Sequence, residues 1–246
     1  MALLPPCSET LKLSLQRATS TARARGRAHP DPQDLLIALI DDDDASPVML
    51  ACSIDLARLR RDLEAAGATT GNPSGDAPAA TGLGHVLQLA FNEAQLSERQ
   101  VVTGADMLIE LFAEPVGRFL QAQGATRYDA LVYLSHGIAK GAKADGEADS
   151  GAPSLEVVLL NDPYTPSEFV VSVLENVFQM SRERATAVMF STHSRKRGSC
   201  GIFPRTEAAA FRARIQSLAA ARQHPLRCVL LPAGEALRAQ DRPSPD

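Results

Sequence analysis

A duplicated pattern fills the first half of the chain and constrains its fold more than any other feature. Small and apolar residues recur 72 positions apart: Leu11, Leu15, Ala18 and Ala22, then Leu83, Leu87, Ala90 and Ala94. At the same spacing the segment 34–39 (Asp-Leu-Leu-Ile-Ala-Leu) aligns with 106–111 (Asp-Met-Leu-Ile-Glu-Leu), and Leu59 aligns with Leu131. Because no gap is needed, the pattern indicates two copies of one structural unit.

Each copy predicts a small helical unit. The apolar periodicity, interrupted by a polar corner, predicts an amphipathic helix, a second apolar helix and a third helix. In the first copy these helices fall at about 9–25, 33–40 and 55–65. The corners His29–Pro32 and Val101–Gly104 carry helix N-cap signals. Residues 1–140 are therefore expected to form an all-α repeat bundle.

Three segments poor in bulky apolar residues separate or follow the structured regions. Residues 67–82, rich in Gly, Ala, Pro, Thr and Ser, predict a flexible connector between the copies. Residues 141–154 predict a disordered linker whose ends lie roughly 20 Å apart. The polar residues 234–246 predict a disordered tail. The second structured region is thus 155–233.

The second region predicts a small α+β domain. An apolar run at 155–160 ends at Asn161-Asp162-Pro163, and a helical pattern starts at Ser167, which predicts a buried strand, a polar turn and a helix. The further elements expected are a helix capped by Ser181 and ending near His193, a loop at 194–198, a strand at 200–203, a helix at 206–222 and a strand at 226–231. This order predicts an antiparallel three-stranded sheet with three helices on one face.

Composition favours an intracellular protein. The chain has 246 residues, and no apolar run reaches the roughly 18–20 residues of a membrane span. The first residues lack the pattern of a signal peptide. The four cysteines are widely spaced, which is typical of free thiols in a reducing compartment: Cys7, Cys52, Cys200 and Cys228. We expect a cytoplasmic protein that binds no membrane.

Charge is divided unevenly between the two regions. Residues 1–137 carry 11 basic and 17 acidic groups, and residues 155–233 carry 10 basic and 6 acidic groups. Halves of opposite sign can attract each other or each other's partners. An equally good interpretation is that these modest charges only keep both halves soluble.

Three clusters of polar residues are poor candidates for a binding site. The run Asp41–Asp44 lacks a calcium-loop pattern and is expected to be a solvated acidic loop. His193, Cys200, His224 and Cys228 fit no common zinc spacing, and both cysteines are expected in the core. The basic segment Arg195–Arg197 is too small for nucleic-acid binding, so a solvated loop, or one that meets an acidic patch, is favoured.

No catalytic pattern is present in the sequence. A Ser/His/Asp or Cys/His arrangement has no motif support, and no Gly-x-x-x-x-Gly-Lys-Ser/Thr phosphate loop occurs. We therefore expect a protein that is not an enzyme, with no cofactor, no metal and no catalytic residue.

The first region resembles the N-terminal domain of bacterial Clp ATPases, of the ClpA type, over about residues 8–137. The resemblance rests on Asp34–Leu39, Cys52–Leu56, Val101–Ala105 and Leu134–Gly137. In that family the domain is a pseudo-twofold helical bundle that docks adaptors and substrates and is tethered to ATPase modules. The resemblance implies a pseudo-twofold bundle here, and the lack of a phosphate-loop motif gives no reason to expect ATP hydrolysis.

The second region resembles ClpS, the adaptor that recognises N-degrons for the Clp protease, over about residues 155–233. The motifs are Leu160-Asn-Asp162, Tyr164-Thr-Pro166, Glu168-Phe-Val-Val171, Glu183-Arg-Ala-Thr186, Met189, His193, Cys200-Gly201 and His224-Pro-Leu226. An N-degron is a free α-ammonium group with a bulky apolar side chain. Removing the ammonium from water is costly unless acceptors replace its hydration.

The resemblance implies a set of site residues. Asn161 and His193 would grip the α-amino group, and Asp162 offers a carboxylate beside them. The side-chain pocket would be lined by Thr165, Ser167, Val170, Met189, Thr192 and Leu226. Pro163 replaces a common aspartate, and Ser167 replaces the usual gating methionine. With Thr192 in place of a common valine, a roomier, more polar mouth and weaker or altered N-degron choice are expected.

Two classes of function follow from the resemblance. The chain is expected to be an adaptor that captures N-degron substrates for a ClpA-like ATPase and its protease. The alternative is a self-inhibited or decoy regulator, in which the two domains contact each other or sequester ClpS and ClpA surfaces. A third hypothesis is that the pocket is inactive. Thr206 and Phe211 fall where relatives often carry charged docking residues, although Phe211 also suits a core position.

Overall fold

The chain divides into two units, residues 1–141 and 142–246. The computed structural model describes residues 6–69, 82–97, 99–142 and 153–233. Most of the predicted connector between the copies, the linker residues 143–152 and the predicted tail 234–246 lie outside the described residues.

The first unit is all-helical, as predicted. The first copy contains α1 (Glu9–Ala24), α2 (Pro32–Leu39), α3 (Ala45–Ala51) and α4 (Leu56–Thr69). The second copy contains α5 (Leu83–Leu96), α6 (Gly104–Leu111), a 3-10 turn (Pro115–Gly117), α7 (Arg118–Gln121) and α8 (Arg127–His136). The prediction of three helices per copy missed the short helices α3 and α7, because segments of seven and four residues give almost no periodic signal.

The duplication extends to hydrogen bonds. Asp31 and Thr103 cap α2 and α6, and each forms a capping box with the aspartate three residues later. These aspartates, Asp34 and Asp106, also pair with Arg27 and Arg99, which again lie 72 positions apart. Burial raises the pKa of Asp34, and the nearby guanidinium groups oppose that change. The predicted N-cap corners are confirmed.

The central helices α2 and α6 are buried on most sides. Leu35, Leu36 and Leu39 have 0% exposure, and so do their counterparts Met107, Leu108 and Leu111. Burying each such side chain contributes about 1.5–3 kcal/mol. This explains why their sequences are almost continuously apolar.

The acidic run Asp41–Asp44 is a loop in which Asp41 and Asp43 are exposed as expected, but its interpretation as a fully solvated loop was wrong for Asp42 and Asp44. Asp42 is 2% exposed, accepts the Ser14 hydroxyl at 2.7 Å and accepts two backbone N–H groups at the start of α3. Asp44 accepts the Thr10 hydroxyl at 2.6 Å. The run therefore fastens the turn between α2 and α3 to α1.

The second unit has the predicted β-α-α-β-α-β order. Its elements are β1 (Ser154–Leu160), α9 (Ser167–Phe178), α10 (Arg182–Arg195), β2 (Arg197–Pro204), α11 (Arg205–Ala221) and β3 (Arg227–Pro232). The sheet order is β2-β1-β3, and both neighbours run antiparallel to β1. The loop predicted at 194–198 was wrong, because α10 continues to Arg195 and Lys196 alone turns the chain, with φ 63°.

The core of the second unit lies between the sheet and its helices. Leu155, Val157 and Leu159 of β1 alternate into one cluster with residues of α9, α10 and α11. Phe211 belongs to this core, since its ring lies 4.8 Å from the rings of both Phe178 and Phe203. Its interpretation as a core residue is therefore confirmed.

Cys200 and Cys228 belong to the same core, as expected from their apolar strands. Their exposures are 1% and 3%. Burial raises the pKa of the Cys200 thiol strongly and that of Cys228 to about 12. Both thiols are therefore protonated at neutral pH and are poor nucleophiles or metal ligands. All four cysteines of the chain are free.

Candidate functional site

One cavity of the second unit collects every side chain that the sequence nominated. Its lining comprises Asn161, Asp162, Thr165, Ser167, Val170, Met189, Thr192, His193 and Leu226, together with Leu160. The enclosed part of the cavity measures about 30 Å³, and the space rises to about 320 Å³ when its open mouth is included. The end of β1, the following turn, α9, α10 and the approach to β3 all contribute to it.

The turn after β1 is held by its own polar groups. The Asn161 backbone N–H donates to the Lys196 carbonyl at 3.1 Å, which ties the turn to the end of α10. Asp162 Oδ1 accepts the N–H groups of Tyr164 and Thr165 at 2.9 and 2.7 Å. Such an aspartate turn keeps the side chains at the cavity in fixed positions.

Two buried polar atoms of this turn have no hydrogen-bond partner among the described residues. They are Asp162 Oδ2 and the Thr165 hydroxyl, and both residues line the cavity. Asp162 is only 9% exposed. A buried carboxylate oxygen without a donor is costly, and a cationic donor is the partner that stabilises it most. The cavity therefore has an anionic wall with unused acceptor capacity.

Helix α10 supplies a further part of the cavity wall. Met189, Thr192 and His193 lie at positions i, i+3 and i+4, so they share one face of the helix. His193 is exposed near the C-terminal end of α10, whereas Val170 and Leu226 are 7% and 1% exposed. The cavity thus combines polar groups with a buried apolar floor.

The Thr192 hydroxyl forms a hydrogen bond within its own helix and does not have the role that the sequence suggested, which was to make the mouth of the cavity more polar. It donates to the Val188 carbonyl at 2.8 Å, within its own helix. A Cβ atom at Gly198 would overlap this hydroxyl, so the hydroxyl points at β2. Its bond to the helix backbone means that Thr192 does not add polarity to the mouth. The expectation that Thr192 makes the mouth more polar is therefore corrected.

Sequence reasoning missed two residues of this region. Leu160 lines the cavity because it is the last residue of β1. The sequence pattern assigned it to the strand and not to the site. Gly198 has no side chain, and this leaves the space that the Thr192 hydroxyl occupies. Nothing in the sequence signals that contact.

The described residues hold no group of three or more His, Cys, Asp or Glu side chains placed to bind a metal ion. Within the same part of the chain, no helix is long and apolar enough to cross a membrane.

Comparison with known proteins identifies both regions. The family described as ATP-dependent Clp protease adaptor protein ClpS matches residues 151–229. The ClpS of Aromatoleum aromaticum is 46% identical over 78 residues, which are 32% of this chain and 76% of that protein. The chain belongs to the ClpS family. A ClpS of Xanthomonas campestris is 45% identical over 78 residues and is covered to 74% of its length.

The first region is a second module joined to this ClpS domain. The Clp repeat N-terminal domain family matches residues 7–123. A ClpA homolog of Fuscovulum blasticum is 37% identical over 148 residues, 56% of this chain, but the chain spans only 19% of that protein. The chain is therefore a fusion of a Clp N-terminal domain with a ClpS domain, as its sequence predicted.

Solved structures resemble each region. Agrobacterium tumefaciens ClpS2, solved with L-phenylalaninamide, is 32% identical and aligns with 32% of this ClpS-family chain and 96% of its own, at a TM-score of 0.32. The Hsp104 N-terminal domain of Candida albicans is 16% identical and aligns with 50% of this chain and 84% of its own, at a TM-score of 0.42.

Proposed function

We propose that this chain is a non-enzymatic adaptor of Clp ATP-dependent proteolysis that recognises substrates by a bulky hydrophobic N-terminal residue. The observation that carries the proposal is the cavity with an unpartnered, buried Asp162 oxygen on one wall and an apolar floor. That combination suits a ligand with a cationic end and an apolar side chain. A free peptide N-terminus that begins with Leu or Phe has this chemistry.

The polar groups would hold the α-ammonium. Asn161 offers an amide oxygen, Asp162 a carboxylate oxygen and His193, when neutral, a ring nitrogen, so three acceptors face three N–H donors. Charge-assisted hydrogen bonds of this kind are about twice as strong as neutral ones. Their geometry would reject a chain whose N-terminus is acetylated.

The apolar floor would hold the side chain. Val170, Met189 and Leu226 line it, and burying a Leu or Phe side chain there contributes about 1.5–3 kcal/mol. Thr165 and Ser167 complete the lining near the turn. A small or charged N-terminal side chain would not gain this contribution.

The proposed partners are a ClpA-like ATPase, with its protease indirectly, and N-degron substrates. A pull-down against ClpA and against free ClpS, with the full chain and with residues 155–233, tests the adaptor role. An adaptor binds ClpA through residues 155–233 whether or not residues 1–140 are present. Binding that appears only after residues 1–140 are removed would identify a self-inhibited regulator instead.

Ser167 is expected to relax selectivity at the mouth of the cavity. It is exposed where relatives carry a gating methionine, so β-branched N-terminal side chains meet less steric hindrance. We expect Ser167→Met to weaken binding of Ile- and Val-initiated peptides by about tenfold relative to Leu-initiated ones, the size of effect typical for misfit of one or two methyl groups. Fluorescence anisotropy with matched peptides measures this ratio.

The matched control for this prediction is Ser172→Met. Ser172 is an exposed residue of the same helix and is absent from the cavity lining. The control should leave the ratio unchanged. An affinity and selectivity of the wild-type chain equal to those of a methionine-gated ClpS would contradict the prediction.

A further inference from the structure

The junction of α10 and β2 presents three consecutive cations. Arg195 ends α10, Lys196 adopts the left-handed conformation and Arg197 begins β2. All three are exposed, and none forms an ion pair with a described residue. We name residues 195–197 the basic turn. Its positive charge is available to a ligand.

The basic turn lies directly beside the candidate ammonium site. The Lys196 carbonyl accepts the Asn161 backbone N–H at 3.1 Å, and Arg197 pairs with Leu160 in the β1–β2 register. Arg195 follows His193 by two residues in the last turn of α10 and therefore lies on another face of that helix, so Lys196 and Arg197 provide the direct connection to the cavity lining. The basic turn therefore adjoins the site that would hold the first residue of a substrate.

This arrangement has an electrostatic consequence. Three exposed cations next to an ammonium site repel a bound ammonium, and only one buried carboxylate, Asp162, opposes them inside the cavity. Glu168, an exposed carboxylate in the first turn of α9, already pairs with Arg182 at 3.2 Å. Among the described residues no carboxylate forms an ion pair with the basic turn, so a ligand can supply the neutralising charge.

A peptide ligand bound by its N-terminus has side chains within reach of the basic turn. An extended peptide advances about 3.3–3.6 Å per residue, so its second and third residues lie within roughly 4–7 Å of the first. Arginine and lysine side chains span a similar distance. A carboxylate on the second or third residue can therefore reach the basic turn while the α-ammonium occupies the cavity.

We propose that the basic turn makes this site selective for substrates whose N-terminal bulky residue is followed directly by acidic side chains. The proposal rests on the proposed function, because it assumes that the cavity binds a substrate N-terminus. Arg197 acts as a specificity determinant that contacts the ligand outside the cavity, and Arg195 adds to the positive field around it. A substrate with lysine or arginine in the second and third positions is disfavoured by the same charges.

Three fluorescent peptides test the proposal with the full-length chain. Each begins with phenylalanine and carries Glu-Asp, Ser-Gly or Lys-Lys at the next two positions, followed by one common sequence. At about 0.05 M salt we expect the acidic peptide to bind about three- to tenfold more tightly than the neutral one, with the basic peptide weakest. At about 0.5 M salt the three affinities should converge.

A charge-reversed pair of variants locates the effect. Arg195→Glu combined with Arg197→Glu should invert the order of acidic and basic peptides and strengthen binding of the neutral peptide modestly, because the repulsion of its α-ammonium is removed. The matched control combines Arg214→Glu with Arg222→Glu, two exposed arginines in and just after α11 that do not line the cavity. The control should keep the wild-type order.

The outcomes separate this proposal from the proposed function. If all three peptides bind equally and lose affinity with Asn161→Ala, the selectivity is wrong and the recognition of N-termini stands. If no phenylalanine-initiated peptide binds, both proposals are wrong. If a single-stranded oligonucleotide binds to the wild type and not to the charge-reversed variant, while peptide order is unaffected, the basic turn serves a nucleic acid and the proposal is overturned.

Discussion

Replacement of Asp162 by asparagine is expected to lower the affinity for a phenylalanine-initiated peptide by at least about tenfold, because a hydrogen bond to a charged group contributes about 1.5–3 kcal/mol. The asparagine side chain would keep one oxygen for the N–H groups of Tyr164 and Thr165, so the turn survives. The substitution removes the negative charge and places an amide NH₂ where Oδ2 now lies unpartnered. Titration calorimetry measures the change.

The matched control is Glu168→Gln, which removes a carboxylate from the first turn of α9. Glu168 is exposed and does not line the cavity, so its loss should change peptide affinity by less than about twofold. Thermal unfolding should show both variants folded. An Asp162→Asn affinity within about twofold of the wild type would mean that the buried oxygen is not an acceptor for the ligand.

Gly104→Ala is expected to destabilise the first unit by about 2–4 kcal/mol, through overpacking and the loss of buried hydrogen bonds. A Cβ atom at the start of α6 would overlap the Asp42 carboxylate. That carboxylate is fixed by the Ser14 hydroxyl and by the backbone N–H groups of Asp44 and Ala45. It cannot move aside without breaking these bonds, and urea unfolding of the two forms measures the cost.

Gly84→Ala supplies the matched control for this prediction. Gly84 lies in α5, and a Cβ atom there meets nothing within 4 Å. In that exposed helical position alanine should stabilise by about 0.5–1 kcal/mol. Equal effects of the two glycine substitutions would show that Asp42 can relax and that the acidic run is less important for the first unit than its contacts indicate.

The strong, repeated signals in the sequence predicted the fold well. A constant spacing of 72 residues identified the duplicated unit, and the apolar run at 155–160 identified the central strand. Capping residues placed the starts of α2, α6 and α10 to within a residue or two. These features depend on local chemistry, which a sequence displays directly.

The failures have a physical cause in contacts between distant residues. The acidic run was interpreted as solvated because consecutive carboxylates prefer water, whereas Asp42 finds a hydroxyl and two backbone donors that only the folded chain brings near. The side-chain direction of Thr192 depends on Gly198, six residues later on another element. Neither contact has a periodic or motif signature.

The candidate site was predictable for a different reason. Its nine residues are scattered from 161 to 226, so periodicity alone would not have joined them, and the resemblance to ClpS supplied the grouping. The structure places all of them around one cavity. The role of each residue in holding a substrate N-terminus stays a prediction.

The most direct test of the central claim is calorimetric titration of the full chain with one phenylalanine-initiated peptide, free or acetylated at its N-terminus. We expect saturable binding of the free peptide, loss of at least about tenfold in affinity on acetylation, and a similar loss with Asn161→Ala or His193→Ala. Equal binding of the free and acetylated peptides, or wild-type binding no stronger than that of the two variants, would contradict recognition of the α-amino group.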